Sequence, residues 1–360
     1  MKVVFYSNRM EFDRYDMETV GMGGSESALC NIVNNWIKQF PKDEIIIYNG
    51  KKEKKKYNDN VIFKTIKDFD NEKRNFDVHA FISLRDHQPF FEPFIDAKFK
   101  FMWSQDNMKE LSLQILNDNE YAKNNIDGIF VISNHSKNDI GLYFNKPIYL
   151  QRNGYNDDWI NWMEVGSVYR KPIAVYSSTP FRGLDILAEL WPYIYNGCKE
   201  RGVEPILKVF SSMSLYQQSD DNFRNLYNKL KSLPNVDLVG AIPQKKLYEE
   251  LHKARTMLYS NNFEEAGCMA VLEALACGVE VITTDLGALA EQVKNGVNGY
   301  TIKGNAYSEE YQKQFIELGI KSLHSNDCGI SITENHDLIF SWKDQARLMR
   351  ETIIKEYLIK

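Results

Sequence analysis

Phe263-Glu-Glu-Ala-Gly-Cys-Met-Ala-Val-Leu-Glu-Ala-Leu-Ala-Cys-Gly278 carries two carboxylates, Glu265 and Glu273, with seven residues between them. The run Tyr-Ser-Asn-Asn-Phe (259–263) precedes it and the strand-like Val-Glu-Val-Ile-Thr-Thr (279–284) follows, so the stretch reads as a loop passing into a helix. Met269 to Ala276 holds good helix formers and no breaker, and Gly278 suits the stop. A helix start offers unpaired backbone N–H groups and a partial positive charge, which together attract phosphate. Glu265 falls just before that start and Glu273 two turns inside, roughly 12 Å along the axis at about 1.5 Å per residue. Acceptor carboxylates flanking an anion site suit a ligand with hydroxyls on both sides of a diphosphate, such as a nucleotide sugar. The alternative is a pair of solvated glutamates at chance spacing, but the helix is apolar almost all round, leaving Glu273 no obvious wet face.

Around this segment, strand-like and helix-like runs alternate along nearly the whole chain. Strands are predicted at Val3–Ser7, Glu44–Tyr48, Val61–Ile66, Val78–Ser83, Phe99–Ser104 and Gly128–Ser133, then at Ile173–Ser178, Leu207–Ser211, Val236–Gly240, Thr256–Ser260, Val279–Thr284 and Gly299–Ile302. Such alternation predicts an α/β fold with parallel sheets and helices on both faces. A chain of 360 residues exceeds one core, and the turn-rich Gln151-Arg-Asn-Gly-Tyr-Asn-Asp-Asp (151–158) marks a join. The expectation is two doubly wound, Rossmann-like domains facing a central cleft. The first spans 1–155, joined by 344–360 as a C-terminal helix crossing back to it, and the second spans 156–343. That last helix presents Leu348, Ile353, Ile354, Tyr357 and Leu358 as its apolar face.

The bulk numbers exclude several classes. A hydrophobic content of 43% and mean hydropathy of -0.44 are ordinary for a soluble globular protein, and no apolar run approaches bilayer length. The start, Met-Lys-Val-Val-Phe-Tyr-Ser, reads as a strand and not a signal peptide, so a cytoplasmic location is expected. A net charge of -5 argues against nucleic acid as main partner. The basic cluster Lys51 to Lys56 around Glu53 reads as a solvated loop, with peripheral contact to a membrane or anionic acceptor the alternative. Five scattered cysteines (30, 198, 268, 277, 328) and six dispersed histidines give no disulfide framework and no zinc spacing. Asp68-Phe-Asp70 matches a metal–nucleotide Asp-x-Asp pattern but sits in a charged stretch off the end of no strong strand, and reads as loop.

Other candidates lie where strands meet helices. Gly21-Met-Gly-Gly-Ser-Glu-Ser (21–27) opens the first long helix; Gly23 and Gly24 remove bulk where a diphosphate approaches, with Ser25 as N-cap, or the segment is a plain cap. Ser177-Ser-Thr-Pro-Phe-Arg-Gly-Leu-Asp (177–185) puts Arg182 at the base of a helix, where it either pairs a diphosphate or serves as a surface arginine. Trp103-Ser-Gln-Asp-Asn (103–107) ends a strand with Gln105 and Asp106, and Asp106 either accepts a proton or caps the next helix. Asp86 and His87 are further acceptor-side candidates.

These pieces, in this order, resemble the family-4 retaining glycosyltransferases of the GT-B superfamily (glycosyl transferases group 1). The resemblance is strongest over Val236–Tyr300, through Gly240, the stretch Tyr259-Ser-Asn-Asn-Phe-Glu-Glu-Ala-Gly267, Glu273-Ala-Leu-Ala-Cys-Gly, Asp285, Gly287, Glu291 and Asn298-Gly-Tyr300. Gly-Gly-Ser-Glu (23–26), Arg152-Asn-Gly154, Arg182-Gly-Leu-Asp185 and Ser341-Trp342 extend it thinly over the chain. It implies that Glu273 holds the ribose hydroxyls of a UDP- or GDP-linked sugar and that Glu265 contacts the donor sugar. Backbone amides of Gly267, Cys268, Met269 and Ala270 would serve sugar and phosphates. Arg182 stands where the family places a diphosphate-binding lysine, Gly24 lets its loop close over the phosphates, and Ser178, Thr179 and Gly240 complete the donor set. It further implies transfer with retention, no cofactor and no essential metal, and a glycan- or lipid-linked acceptor. Two departures stand out: Ser177 replaces a frequent arginine, and Gln105 stands near where a histidine is common, so no imidazole serves proton transfer there. The rival expectations are a non-transferring GT-B enzyme (epimerase or phosphorylase) or a nucleotide-sugar binding protein with little catalysis.

Overall fold

Continuous apolar runs such as Val3-Val-Phe5 and Val281-Ile282, buried on both faces, form the central strands of two parallel sheets, as parallel strands covered by helices require. The computed structural model describes residues 1–8, 10–13, 16–50, 55–58, 60–91, 95–161, 170–324 and 338–359. The chain forms two compact units: Met1–Tyr15, Gly24–Gly154 and Ser341–Lys360 in the first, Asp16–Gly23 and Tyr155–Phe340 in the second. The excursion at 16–23 joins the second unit, where Gly21 lies against Leu215, Ala241 and Ile242.

In the first unit the strands are β1 (Lys2–Ser7), β2 (Glu44–Asn49), β3 (Lys55–Asn58), β4 (Val61–Thr65), β5 (Val78–Leu84), β6 (Ala97–Trp103), β7 (Gly128–Val131) and β8 (Ile148–Leu150). Their order is β3-β4-β2-β1-β5-β6-β7-β8, parallel except for β3 against β4. Lys55 and Lys56, expected in a loop, thus belong to an edge strand, where lysines guard against edge pairing; 51–54 lie outside the described residues. Asp68 and Asp70, also expected in a loop, lie in the helix Ile66–Glu72. Thr65 and Asp68 form its capping box, and Asp70 pairs with Lys73 at 3.1 Å. The helix Gly24–Gln39 starts one residue early, so Ser25 sits in its first turn and does not cap it.

The last helix, Trp342–Ile359, packs on Gly24–Gln39 within this unit. Its buried face is Trp342, Gln345, Ala346, Met349 and Ile353, whereas Leu348, Tyr357 and Leu358, expected inside, are exposed. Trp342 fixes that stripe at four- and three-residue spacing, and Arg350 Nε anchors its flank on Asp43 at 2.6 Å. Among the described residues no helix is long and apolar enough to cross a membrane.

The second unit is fully parallel: β9 (Ile173–Ser177), β10 (Ile206–Phe210), β11 (Val236–Leu238), β12 (Thr256–Tyr259), β13 (Glu280–Thr284) and β14 (Gly299–Ile302), in order β11-β10-β9-β12-β13-β14. A helix not predicted from sequence, Glu309–His324, packs on Leu184–Lys199. The strand order reverses between β9 and β12, and ligands of doubly wound sheets bind at the carboxyl ends of strands flanking such a reversal. Here β9 pairs β10 over five residues but β12 over only two, Ala174 with Thr256 and Val175 with Met257. The two strands then part, and their carboxyl-end loops, 178–183 and 260–268, line the opening.

Candidate functional site

Arg182 and Glu265 meet at this opening. The guanidinium Nη1 donates to Glu265 Oε1, which also accepts from Tyr259 Oη at 2.6 Å. Glu265 is 3% exposed. The guanidinium carbon lies 4.6 Å from the Phe263 ring centroid and 5.6 Å from that of Phe181, so aromatic faces clasp the cation. Burial alone would lower the Arg182 pKa, but the Glu265 carboxylate outweighs it and moves the group further up. Local backbone sets this geometry. Gly183 has φ +86° and takes the Ser260 hydroxyl on its carbonyl at 2.7 Å, tying the loop after β9 to the loop after β12. Glu265 bridges to Gly287, and its carbonyl accepts from Ala288 N at 2.7 Å.

Two polar atoms in this corner are buried with no hydrogen-bond partner among the described residues: Arg182 Nε and Thr179 Oγ1. Native folds rarely leave such atoms without a partner, and a ligand is one explanation for those that do. Thr179 lies in the turn held by Tyr176, whose hydroxyl is 2.9 Å from the Thr179 carbonyl and 3.2 Å from that of Arg182. Ser178 Oγ is 3.4 Å from Tyr259 Oη.

Glu273 lies inside the helix Met269–Ala276, 4% exposed, and accepts from Gln244 Nε2. Burial raises its pKa from 4.5 to about 7, and the Gln244 hydrogen bond only partly opposes this. Between those values the carboxyl is neutral when folded and ionised when unfolded. Its contribution to stability is therefore fully present below pH 4.5 and lost as pH rises through about 7. At about 1.4 kcal/mol per pH unit, the loss is on the order of 3 kcal/mol. Glu273→Gln should flatten that dependence, making the ligand-free protein more resistant to urea at pH 8 than wild type. Equal pH slopes in both proteins would remove burial of this carboxyl as the cause.

At the start of this helix, Cys268 N donates to Gln292 Oε1 at 3.0 Å and Cys268 O accepts from Gln292 Nε2 at 2.9 Å. The Cys268 sulfur accepts from the Val271 amide, and burial pushes its thiol pKa up. The amides of Met269 and Ala270, in the first turn, have no carbonyl within the helix to serve, whereas that of Cys268 is already engaged. Gly240 has φ +81° after β11, and its amide is 3.2 Å from Val209 O.

The acceptor-side candidates of the first unit gather around a residue the sequence reading passed over. Arg85, just after β5, has φ +57°, a conformation costly for a side chain of this size. Its Nη2 pairs with Asp106, its Nε with Glu110 at 3.3 Å, and its Nη1 with Ser25 Oγ at 3.0 Å. Asp106 therefore neither caps a helix nor stands alone. Ser112 Oγ donates to Arg85 O at 3.0 Å and lies 3.2 Å from His87 Nδ1. Gln105 is buried, and its Nε2 has no hydrogen-bond partner among the described residues. Gly24 begins the helix that carries Ser25.

Residues 205–330, from β10 past β14, match the family model described as Glycosyl transferases group 1. This segment is similar to the glycosyl transferases group 1. It carries Gly240, Gln244, Glu265 and Glu273, while Arg182 enters from the loop after β9, ahead of the segment. An uncharacterized glycosyltransferase of Methanocaldococcus jannaschii is 24% identical over 199 residues, 55% of this chain; the match spans about half of that relative's length, 51%. A sucrose-phosphate synthase from Thermosynechococcus elongatus is similar in structure (TM-score 0.72, 12% identity, all of both chains). Anabaena HepE, solved in complex with UDP-glucose, gives a TM-score of 0.67 at 13% identity, covering 99% of this chain and all of its own. At such identities the likeness carries the fold, which is GT-B.

Gln244 and Gln292, which flank the site of the group 1 segment, were not singled out from sequence, and Tyr259 and Phe263 entered only as part of the 259–267 stretch, with no role of their own. Tyr259 ends a strand at the reversal of strand order, and that position was the available signal. Among the described residues no three His, Cys, Asp or Glu side chains converge to hold a metal ion. Cys30, Cys198, Cys268 and Cys277 are buried thiols, and Cys328 lies outside the described residues.

Proposed function

We propose that the second unit binds a nucleotide diphosphate sugar, UDP- or GDP-linked, and that the chain transfers its sugar with retention to a hydroxyl of a glycan- or lipid-linked acceptor. The observation that carries this reading is the Arg182–Glu265 pair, with its unpaired Nε, at the strand reversal of a group 1 segment. In this reading Arg182 and the amides of Met269 and Ala270 neutralise charge growing on the departing diphosphate, a preorganised electrostatic role that asks for no divalent ion. Glu265 orients the donor sugar through its hydroxyls, with Tyr259 and Arg182 holding the carboxylate still. Glu273 takes the ribose hydroxyls. Tyr259, Tyr176 and Cys268 are all held protonated by burial, so none is a ready nucleophile or base. The acceptor proton then passes to an oxygen of the leaving diphosphate. In the first unit, Asp106, Gln105 and His87 are assigned to the acceptor side, with Arg85 fixing the Asp106 carboxylate. The protein is assigned to the cytoplasm, with peripheral membrane contact through its acceptor.

The test is ligand-induced stabilisation. UDP or GDP at 100 times its Kd should raise unfolding free energy by about 2.7 kcal/mol. At one fixed nucleotide concentration the rise should be larger at pH 8 than at pH 6, because ribose hydroxyls favour the ionised form of Glu273, whose pKa is about 7. No thermal shift with either nucleotide or its sugars, at either pH, would sink the reading. A nucleotide-sugar binding protein without transfer would show the shift but release no nucleotide from any donor.

A further inference from the structure

One polar atom beside Glu273 has no use in the scheme above. Gln244 opens the helix Gln244–Leu251 after Pro243, and its Nε2 donates to Glu273 Oε1 and lies 3.8 Å from Met269 Sδ. That contact fixes the amide with its N–H face on the carboxylate. The other end, Oε1, is buried and accepts no hydrogen bond from the described residues, although the residue as a whole is only half-buried. A buried acceptor without a donor costs about 1–3 kcal/mol, and it persists where something else supplies the donor.

The arithmetic of donors and acceptors points the same way. A ribose diol brings two O–H donors. Glu273 Oε1 already takes the amide N–H, so one lone pair of the carboxylate is spent. Gln244 Oε1 beside it is a buried acceptor still lacking a donor among the described residues, and a ribose hydroxyl would supply one. Resting on the nucleotide reading above, we infer that Gln244 is a specificity residue for the nucleoside: its Oε1 accepts from one ribose hydroxyl while Glu273 takes the other, so the two select ribo- over deoxyribonucleotides.

Calorimetric titration of UDP and GDP, each beside its 2′-deoxy and 3′-deoxy form, tests this with wild type, Gln244→Ala and Gln244→Met. Methionine keeps the volume and removes the hydrogen bonding. A half-buried first-turn position tolerates both changes, and thermal melting monitors the fold. Wild type should prefer the ribonucleotide over at least one deoxy form by on the order of tenfold, the weight of one hydrogen bond. In both variants that ratio should collapse toward unity for one hydroxyl, through weaker ribonucleotide binding with deoxynucleotide binding unchanged. Ratios equal to wild type in both variants, or equal weakening of ribo and deoxy forms, would overturn the inference and leave the nucleotide reading standing. Binding of neither nucleotide by wild type would overturn both.

Discussion

Glu265→Ala should abolish most turnover and lower stability together. Removing one partner of a buried ion pair leaves an uncompensated charge, which typically costs about 3–5 kcal/mol. Arg182 is in that position: its side chain is 19% exposed, it lies between Phe181 and Phe263, and Glu265 is its one carboxylate partner among the described ion pairs. Tyr259 Oη would lose its acceptor at the same time. In the proposed reaction the released guanidinium no longer faces the diphosphate correctly. Release of nucleoside diphosphate from UDP- or GDP-sugars should then fall on the order of 10²–10³-fold, as when one preorganised charge-stabilising group is lost. The double variant Glu265→Ala with Arg182→Met should recover much of the stability and none of the turnover. Unchanged turnover in Glu265→Ala would remove Glu265 and its partner from the reaction, whatever happens to stability.

Gly183→Ala should be the most damaging single methyl in the second unit. A Cβ there would stand 1.9 Å from the Ser260 carbonyl oxygen and 2.8 Å from its carbon, on a residue already at φ +86°. Neither backbone can yield without parting the loops that carry Arg182 and Glu265. We expect a loss of about 4 kcal/mol or more, well above the usual range for a point substitution, with loss of nucleotide binding. Gly240→Ala is the control for conformation without collision. It has φ +81° but nothing within 4 Å of the added carbon, so its cost should stay near 1–2 kcal/mol. Equal urea midpoints for the two variants would show that the Ser260 contact does not decide the junction.

The difference between these two glycines is invisible in sequence, and it illustrates what was legible and what was not. Glu265, Glu273 and Arg182 stand out as candidates in the sequence because their positions relative to strand ends and a helix start are local properties. Their partners depend on which strands become neighbours. Gln244 precedes Glu273 by 29 positions and reads as an ordinary helix beginning. Arg85 reads as a loop arginine, since a positive φ leaves no mark in composition. The central strands were legible from their apolar runs, but β8 is only Ile-Tyr-Leu and β3 is largely lysine and polar residues, so packing and edge position decided them. The Asp68 helix is short and charged, with only Phe69 buried, so Thr65-Ile-Lys-Asp68 is its one local signal, a capping box. The apolar face of the last helix was misplaced because Trp342, outside the expected span, sets its rotation.

Arg182 and Glu265 are 83 residues apart in the chain, and that interval has a consequence for biosynthesis. At about 5–20 residues per second on the ribosome, the arginine emerges roughly 4–17 s before the carboxylate that neutralises it. During that time β9 has no β12 beside it, and Phe181 and the cation are held by nothing permanent. The nascent second unit therefore cannot close its own centre early. A polyanion such as a nucleotide would serve as a temporary counterion for the waiting arginine, the same chemistry proposed for the finished crevice.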